Sequence, residues 1–455
     1  MAEIQLPKDF LLGAATSSYQ IEGGWNESGK GLSIWDTFSH TPGKIYNNEN
    51  GDIACDHYNR YKEDVTIMKE LNLKGYRFSI SWPRIFPKGR GEVNETGARF
   101  YDNLINELVS AGIEPCVTLY HWDLPQALSD EGGWVNRRII NDFVEYARFC
   151  FKRYGDRVKK WATFNEAYIV AHLGYEIGRF APGITDPRKA SQVSHHINLA
   201  HAMAVASFRE IKAAGEIGIV HCMSPVHNMD RTESGAQKAR YMDGIWNRWY
   251  SDPTLLGIYP EDIMNNKKNQ GTAPEIMPGD MDIIKHNRCD FLGINYYFRF
   301  RVYDNGPDKP FDWSECVNCK EVPGAKISEM GWEVYPEGLY ELVKRIDSDY
   351  GKIPLYIMEN GIALKDDKYL SDGSIDDDER ISYIKSHLES CLKSINDGVN
   401  LRGYYYWSLM DNFEWASGYS KKFGLVKIDH KTLERSVKKS GKWYGEFIKG
   451  HLKSV

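Results

Sequence analysis

Two stretches, Thr163-Phe164-Asn165-Glu166 and Ile357-Met358-Glu359-Asn360-Gly361, each place one glutamate at the end of an apolar, strand-like run. Residues 158–162 lead into the first stretch and residues 353–356 into the second. An ionisable side chain at the mouth of a buried strand is costly unless its chemistry is used. Either glutamate alone could be a surface acid that ends a strand. Together they are the pair of carboxyl groups that acid–base and nucleophilic catalysis on one bond requires.

Eight strand-like segments recur along the chain, and helical patterns lie between most of them. The strand-like segments are 10–14, 75–79, 115–120, 160–164, 217–222, 291–295, 355–358 and 403–407. The clearest helical patterns are 64–71, 101–109, 142–154 and 379–395. Strands that alternate with helix-period stretches favour parallel βα units, and eight such units close a barrel. The sequence therefore predicts an α/β fold, a single (β/α)8 TIM barrel.

The chain has 455 residues, and a minimal barrel needs only about 250. We expect the surplus in long βα loops, at 15–60, 121–135, 165–190, 224–285 and 296–335. All but the fourth visibly begin near the C-terminal end of a strand, where barrel enzymes build their active sites. The sequence shows no linker, repeat or low-complexity segment. We therefore expect residues 1–455 to form a single catalytic domain.

The composition excludes several classes of protein. A net charge of −6 provides no basic footprint for nucleic acid. No run approaches the ~18 apolar residues that span a bilayer, and residues 1–9 lack the apolar core of a signal peptide. The eight cysteines are scattered, and Cys116 and Cys222 lie in apolar strands, as reduced core thiols do. We expect a cytoplasmic protein with no membrane or nucleic-acid partner; the sequence leaves the oligomeric state open.

Aromatic residues are abundant, with 13 Trp and 28 Tyr. They are compatible with a large aromatic core. They also suit sugar recognition, because flat rings cover the C–H faces of pyranoses while tyrosine hydroxyls bond to sugar hydroxyls.

Metal-binding patterns are weak. Cys316 and Cys319 form one C-x-x-C without a second pair, and His196 and His201 are five positions apart on a helix-like run, so they do not share a face. We therefore expect no metal and no cofactor.

Arg77, in Tyr76-Arg77-Phe78-Ser79, lies at the end of the second predicted strand. A buried arginine at that level needs a carboxylate partner. It could form a structural ion pair, or it could keep a catalytic carboxylate ionised.

Several further motifs fall on successive strand ends. They are residues 10–23, Tyr76-Arg77-Phe78-Ser79-Ile80-Ser81-Trp82-Pro83-Arg84, Leu119-Tyr120-His121-Trp122-Asp123-Leu124-Pro125, Asn295-Tyr296-Tyr297 and Trp407-Ser408-Leu409-Met410-Asp411-Asn412-Phe413-Glu414-Trp415. These motifs and the two glutamate stretches together make the chain resemble the β-glucosidases of glycoside hydrolase family 1 nearly from end to end.

The resemblance implies a role for each matching position. Glu166 matches the acid/base and Glu359 the nucleophile, with Arg77 and Tyr297 as the residues that contact and tune the nucleophile. The positions that match substrate-binding residues are Gln20, His121, Trp122, Asn165, Asn295, Tyr297, Trp332, Trp407, Glu414 and Trp415. Asn165 matches the residue that bonds to the sugar 2-hydroxyl, Trp407 the platform beneath the sugar ring, and Trp332 an aromatic residue of the leaving-group side. His121 and Trp407, taken alone, would equally suit the core.

Two positions depart from the family pattern. Ala167 stands where proline usually follows the acid/base, and Met358 stands where threonine more often precedes the nucleophile. Neither position supplies a catalytic group. Because proline fixes the backbone, Ala167 puts the rate and the pH profile in question rather than the reaction.

The resemblance implies a retaining β-glycosidase that hydrolyses terminal β-D-glucosides (cellobiose, cello-oligosaccharides and aryl β-glucosides) through a covalent glycosyl-enzyme. One alternative is a 6-phospho-β-glucosidase of the same fold, which would need cationic or hydroxyl donors in residues 412–422. Glu414 in that segment disfavours it, although Lys421 and Lys422 follow. The other alternative is a non-catalytic sugar-binding relative, which we would expect to lack one of the two glutamates.

Overall fold

Eight parallel strands close into a barrel in the computed structural model, which describes residues 4–453. The strands, β1 to β8, are Leu11–Ala15, Gly75–Ser79, Glu114–Tyr120, Lys160–Asn165, Glu216–Cys222, Phe291–Asn295, Leu355–Asn360 and Leu401–Trp407. Each strand pairs in parallel with its sequence neighbours, and β8 pairs with β1 in the register Leu11 to Gly403. The predicted (β/α)8 barrel and all eight predicted strands are confirmed, and the strand ends move by at most two residues.

One main helix follows each strand. These helices, α1 to α8, are His57–Glu70, Glu95–Ser110, Ile139–Tyr154, Pro187–Glu210, Trp249–Leu256, Pro336–Tyr350, Asp378–Asn396 and Lys439–Lys453. The four helical patterns seen in the sequence fall on α1, α2, α3 and α7, and their C-terminal ends agree within one residue, while α1, α2 and α3 begin three to seven residues earlier than predicted. No helix in residues 4–453 has the length and hydropathy to cross a membrane.

The segments between these strands and helices carry additional elements. Further α-helices are Ser18–Ile21, Ile34–Ser39, Trp82–Ile85, Gln126–Asp130, Ala167–Ala171, Glu233–Asp243, Glu261–Asn269, Asp280–His286 and Trp313–Cys316. Segments of 3-10 helix are Tyr46–Asn48, Gly133–Val135 and Trp415–Ser417, and segments of π-helix are His172–Glu176 and Gly244–Arg248. Two small sheets pair Val226–Asn228 with Phe300–Val302 and Val426–Ile428 with Arg435–Val437.

Alternation along the strands divides the core in two. On β7, Leu355 and Ile357 pack in the large cluster between strands and helices, whereas Tyr356 and Met358 join the small cluster inside the barrel. This is the period-2 pattern of a strand that is buried on both faces. Strict alternation would turn the next residue, Glu359, away from the barrel interior.

A β-bulge changes that direction. Against β6, Ile294 pairs with Ile357 but Asn295 pairs with Glu359, so β7 carries one extra residue. On β4, Ala162 and Asn165 pair with Gly218 and Val220 of β5, which again is one extra residue. Bulges bend a strand and re-aim its side chains. Both bulges come just before the glutamate that the sequence singled out.

Candidate active site

Glu166 directly follows β4 in the left-handed backbone region, with φ 53°. Its backbone N–H donates to the carbonyl oxygen of Val220 at 2.8 Å. A residue other than glycine in this region costs about 1–3 kcal/mol, and such residues cluster at functional sites. Trp122 and Trp415, also predicted site residues, have positive φ as well, of 79° and 50°.

The side chains of Glu166 and Glu359 line one cavity of about 400 Å³ at the C-terminal end of the barrel. This volume lies in the usual range for small-molecule sites, roughly 300–1,000 Å³. The other predicted residues on its wall are His121, Trp122, Tyr297, Trp332, Trp407, Glu414 and Trp415. The remaining predicted residues, Gln20, Arg77, Asn165 and Asn295, lie behind this wall and are hydrogen-bonded to residues that form it or to one another.

Glu359 accepts hydrogen bonds at both carboxyl oxygens. Arg77 Nη1 donates to Oε1 at 2.6 Å, and the Tyr297 hydroxyl donates to Oε2 at 2.8 Å. Arg77 is completely buried, and its Nε also donates to Thr118 at 3.1 Å. Charge-assisted hydrogen bonds of this kind stabilise the ionised carboxylate.

Glu166 has a different environment. Asn295 Nδ2 donates to Glu166 Oε1 at 2.8 Å and to Asn165 Oδ1 at 3.0 Å. No cation lies within 4 Å of Glu166 among residues 4–453. The bonds to Glu166 and Asn165 use both Nδ2 hydrogens of Asn295, so this amide is bound to Glu166 rather than to Glu359.

These environments separate the two carboxyl groups electrostatically. Burial, followed by the negative charge of Glu359, raises the pKa of Glu166 to about 8. Burial also raises the pKa of Glu359, but Arg77 and Tyr297 act against that rise. A proton shared by the pair therefore resides on Glu166, and the negative charge resides on Glu359.

Asn165 fixes the protonation of His121. Arg77 Nη2 donates to Asn165 Oδ1 at 2.6 Å, which identifies that atom as the oxygen, so Asn165 Nδ2 must donate to His121 Nε2 at 3.1 Å. Burial and the charge of Arg77 hold the pKa of His121 well below its usual range, so the ring is neutral. Its proton is then on Nδ1, a buried atom without a partner in residues 4–453. The ring of His121 lines the cavity, but this N–H lies beneath the cavity surface.

Glu414 faces the cavity from the segment after β8. Gln20 Nε2 donates to its Oε2 at 3.4 Å and to the Phe413 carbonyl oxygen at 2.8 Å, while Ser17 donates to Gln20 Oε1 at 2.6 Å. Burial, and then the charge of Glu359, raise the pKa of Glu414 to about 8. At neutral pH this carboxyl group is mostly protonated, so it donates as well as accepts.

Aromatic rings form much of the cavity wall. The rings of Trp122 and Trp415 are 4.5 Å apart, and those of His121 and Trp407 are stacked at 6.0 Å. On the other side, Tyr297 and Trp332 are 5.1 Å apart. The arrangement provides flat apolar faces beside a few polar groups, which is the pattern expected for a sugar site.

Other wall residues were not singled out from the sequence. They include Tyr168, His172, Trp246, Phe298, Trp313 and Phe423. Tyr168, His172, Phe298 and Trp313 lie in predicted long loops that begin near a strand end, Trp246 lies in the predicted loop 224–285, and Phe423 lies outside the predicted loops. No motif marks these individual positions.

No group of three or more His, Cys, Asp and Glu side chains within residues 4–453 is arranged to hold a metal ion. Cys316 is buried and Cys319 is exposed, and both are free thiols. His195 and His196 are hydrogen-bonded to protein groups, Asp280 and the Trp134 carbonyl oxygen respectively.

Comparisons with known proteins agree with this geometry. Residues 2–452 match glycosyl hydrolase family 1. The chain is 47% identical to "Beta-glucosidase A" of Acetivibrio thermocellus, over 99% of this chain and 100% of that protein. It is 42% identical to an "Aryl-phospho-beta-D-glucosidase" of Bacillus subtilis, over 99% and 98% of the two chains.

A solved structure, the "Family 1 b-glucosidase from Thermotoga maritima", superposes with a TM-score of 0.93 at 44% identity, covering 99% of both chains. The same Thermotoga enzyme in complex with glucoimidazole gives a TM-score of 0.92. Both the family match and these relatives extend over essentially the whole length of the protein. The chain therefore belongs to glycosyl hydrolase family 1.

Proposed function

We propose that the protein is a retaining β-glucosidase that hydrolyses terminal β-D-glucosides, with Glu359 as the nucleophile and Glu166 as the acid/base. The observation that supports these roles most strongly is the asymmetry of the two carboxyl groups. Glu359 is bound by an arginine and a tyrosine hydroxyl, whereas Glu166 is bound by a neutral amide and has a raised pKa. Retaining hydrolysis needs one ionised and one protonated carboxyl group about 5–5.5 Å apart.

In the first step, a Glu359 oxygen attacks the anomeric carbon while the bond to the leaving oxygen breaks. Glu166 gives its proton to that oxygen, so the leaving group departs as a neutral alcohol. The product is a glycosyl ester of Glu359. Burial and the negative charge of Glu359 both raise the pKa of Glu166, and formation of the ester removes the second of these effects, so the pKa of Glu166 falls at the moment when it must act as a base.

In the second step, ionised Glu166 takes a proton from a water molecule, and the oxygen of that water attacks the anomeric carbon. The ester bond breaks, Glu359 regains its negative charge, and Glu166 is protonated again. Two inversions at the same carbon give net retention. Arg77 and Tyr297 hold the Glu359 carboxylate in place through the cycle.

The polar groups of the wall suit a neutral glucosyl ring. Glu414 both donates and accepts, while Trp407 and Trp415 supply flat faces. Asn165 is held by Arg77 next to Glu166, and we propose that its remaining amide hydrogen bonds to the sugar 2-hydroxyl. Hydrogen bonds at that hydroxyl strengthen in the transition state.

The 6-phospho-β-glucosidase alternative is the second candidate, since a phospho-glucosidase is among the relatives. In the segment after β8, Lys421 Nζ donates to the Glu329 carbonyl oxygen at 2.6 Å and does not line the cavity. The arginine on the described cavity wall is Arg179, from the loop after β4. Glu414 also faces the cavity, and its negative charge, which grows as pH rises through about 8, favours unphosphorylated glucosides.

A non-catalytic relative is disfavoured because both glutamates line one cavity and each has its hydrogen-bonding partners, Arg77 for Glu359 and Asn295 for Glu166. We also propose a reducing, cytoplasmic setting, because all eight cysteines are free and seven of them are buried. The substrate is a small-molecule glucoside, and no metal or cofactor takes part in either step.

The proposal is tested by proton NMR of an aryl β-glucoside during the first turnovers. We expect β-glucose as the first anomer, followed by slow mutarotation. An α-anomer as the first product would mean inversion and carboxyl groups about 6.5–9.5 Å apart, and an absence of hydrolysis would favour the sugar-binding alternative.

A further inference from the structure

A second cavity, of about 260 Å³, lies beside the active-site cavity. It is built by the segments that follow β4, β5 and β6, and we call it the side pocket. Its volume is close to the lower end for small-molecule pockets, about 300 Å³. It therefore has room for one small ring rather than for a chain.

The side pocket shares a wall with the active site. Tyr168, His172 and Trp313 line both cavities. Tyr168 stacks on His172 with centroids 4.9 Å apart, and His172 stacks on Trp313 at 6.4 Å. A molecule in the side pocket would therefore touch the same rings that border the mouth of the active site.

Both π-helical segments lie at this wall. His172–Glu176 supplies Leu173 to the active-site cavity and Glu176 to the side pocket, and Gly244–Arg248 supplies Trp246 to the first and Ile245 to the second. Single π-turns occur mostly at functional sites. Here they divide their side chains between the two cavities.

Lys267 is the cation of the side pocket. Its Nζ donates to Ser191 Oγ at 2.9 Å and lies 5.0 Å from the Trp249 ring centroid. No carboxylate of residues 4–453 lies within 4 Å of it, and burial lowers its pKa. An ammonium group has three donors, so Ser191 leaves two of them for a ligand.

The charges in the pocket favour a neutral ligand. Burial acts to raise the pKa of Glu176, but the hydrogen bond to His172 at 2.9 Å, the electrostatic attraction of His172 and the charge of Lys267 together outweigh it, so Glu176 is ionised at neutral pH. An anion attracted by Lys267 would meet this carboxylate. A polyhydroxylated ring can accept from Lys267 and donate to Glu176, and the aromatic walls can cover its C–H faces.

We propose that the side pocket binds one neutral sugar ring and that its occupancy alters hydrolysis through the wall of Tyr168, His172 and Trp313. The choice of a sugar rests on the proposed function, since hydrolysis releases sugars beside the pocket. The ring could be a free monosaccharide or the far unit of an oligosaccharide, and the chemistry that recognises it is the same.

The first test is calorimetric titration with D-glucose, which requires no turnover. We expect two classes of site in the native protein. Ala190→Phe, which fills the pocket from a buried lining position, should remove one class. Lys267→Met should weaken that class roughly tenfold, whereas Lys268→Met, at the exposed neighbouring position, should not. One class in the native protein, or a second class that neither pocket variant changes, would overturn the proposal, as would tighter binding of glucose 6-phosphate at the Lys267-dependent site.

The second test identifies the source of the ring. If the ring is a free monosaccharide, added glucose changes the rate of aryl-glucoside hydrolysis in the native protein. The part of that rate change that depends on the side pocket is absent in Ala190→Phe. If it is the far unit of a chain, Lys267→Met lowers kcat/KM for cellotetraose more than for cellobiose. The absence of both effects overturns the claim that occupancy acts on hydrolysis. A native protein that binds glucose twice but does not hydrolyse glucosides would instead reject only the proposed function.

Discussion

Arg77 Nη1 lies 2.6 Å from Oε1 of Glu359, and the two side chains are only 0% and 5% exposed. The other guanidinium nitrogen, Nη2, donates to Asn165 Oδ1 at 2.6 Å, next to Glu166 in the chain. One buried cation therefore holds the proposed nucleophile and orients the amide beside the proposed acid. Removing one partner of a charge pair this deeply buried strongly destabilises the protein.

Glu166→Ala should slow substrates with poor leaving groups, such as alkyl glucosides, by about 10²–10⁴-fold, because general acid catalysis contributes about that factor. Dinitrophenyl glucoside, whose leaving group needs no proton, should lose little in the first step. Steady-state and burst kinetics on both substrates measure the difference. Glu210→Ala, at an exposed glutamate at the end of α4, is the control and should behave as the native protein. An equal loss on both substrates would assign Glu166 another role.

The pH dependence of hydrolysis should reflect the interaction between Glu166 and Glu359 rather than Glu166 alone. In the native protein kcat/KM should fall as pH rises through about 8, where Glu166 loses its proton. Glu359→Gln removes a negative charge that raises the pKa of Glu166, so that pKa should fall, while burial keeps it above the usual 4.5. NMR titration of ¹³C-labelled glutamate measures the pKa of Glu166 in this inactive variant. A pKa that is unchanged or higher would contradict the assignment.

Glu414 should discriminate against phosphorylated glucosides in a pH-dependent way. Its pKa is raised to about 8, so its charge, and the repulsion of a 6-phosphate, should grow as pH rises through that value. The ratio of kcat/KM for an aryl β-glucoside to that for its 6-phosphate should exceed one and rise from pH 7 to pH 9. The ratio cancels the titration of Glu166, which acts on both substrates.

Glu414→Gln is the matched variant for that experiment. It should lower the ratio and remove its dependence on pH, since the amide does not titrate. Faster turnover of the 6-phosphate by the native protein would instead support the phospho-glucosidase alternative.

Lys438 should be important for stability. Its Nζ lies 2.8 Å from Asp411 and 2.5 Å from Asp366, and all three side chains are at most 6% exposed. Lys438→Met would leave two buried carboxylates without this cation and should cost about 3–5 kcal/mol of unfolding free energy. Lys439→Met, at a neighbour that is 34% exposed, should cost about 0–1 kcal/mol. Urea unfolding of both variants measures the difference, and equal costs would show that the buried network contributes little.

The sequence predicted the barrel because eight apolar runs alternate with helical patterns, and it predicted the site because parallel strands bring their C-terminal ends to one face. Glu166 and Glu359 were found from their places at strand ends, without any structural information. The sequence did not predict the extension of β7 to Asn360. A glutamate interrupts an apolar run in the sequence even where the strand continues to pair with its neighbours.

Three features of the site depend on contacts that sequence patterns do not encode. The bulges before Asn165 and Glu359 are seen only in the register of neighbouring strands. The neutral state of His121 depends on the orientation of the Asn165 amide. The burial of Glu414 beside Glu359 raises its pKa, which no local motif reveals.

The most direct test of the central claim, that Glu359 is the nucleophile, is anion rescue of Glu359→Gly. The variant should keep its circular dichroism spectrum and lose hydrolysis of dinitrophenyl β-glucoside, because nothing then attacks the anomeric carbon. Added azide should fill the vacated space and restore turnover, with α-glucosyl azide as the product identified by NMR. Near-native hydrolysis by this variant without added anion, or a β-glucosyl azide product, would contradict the account.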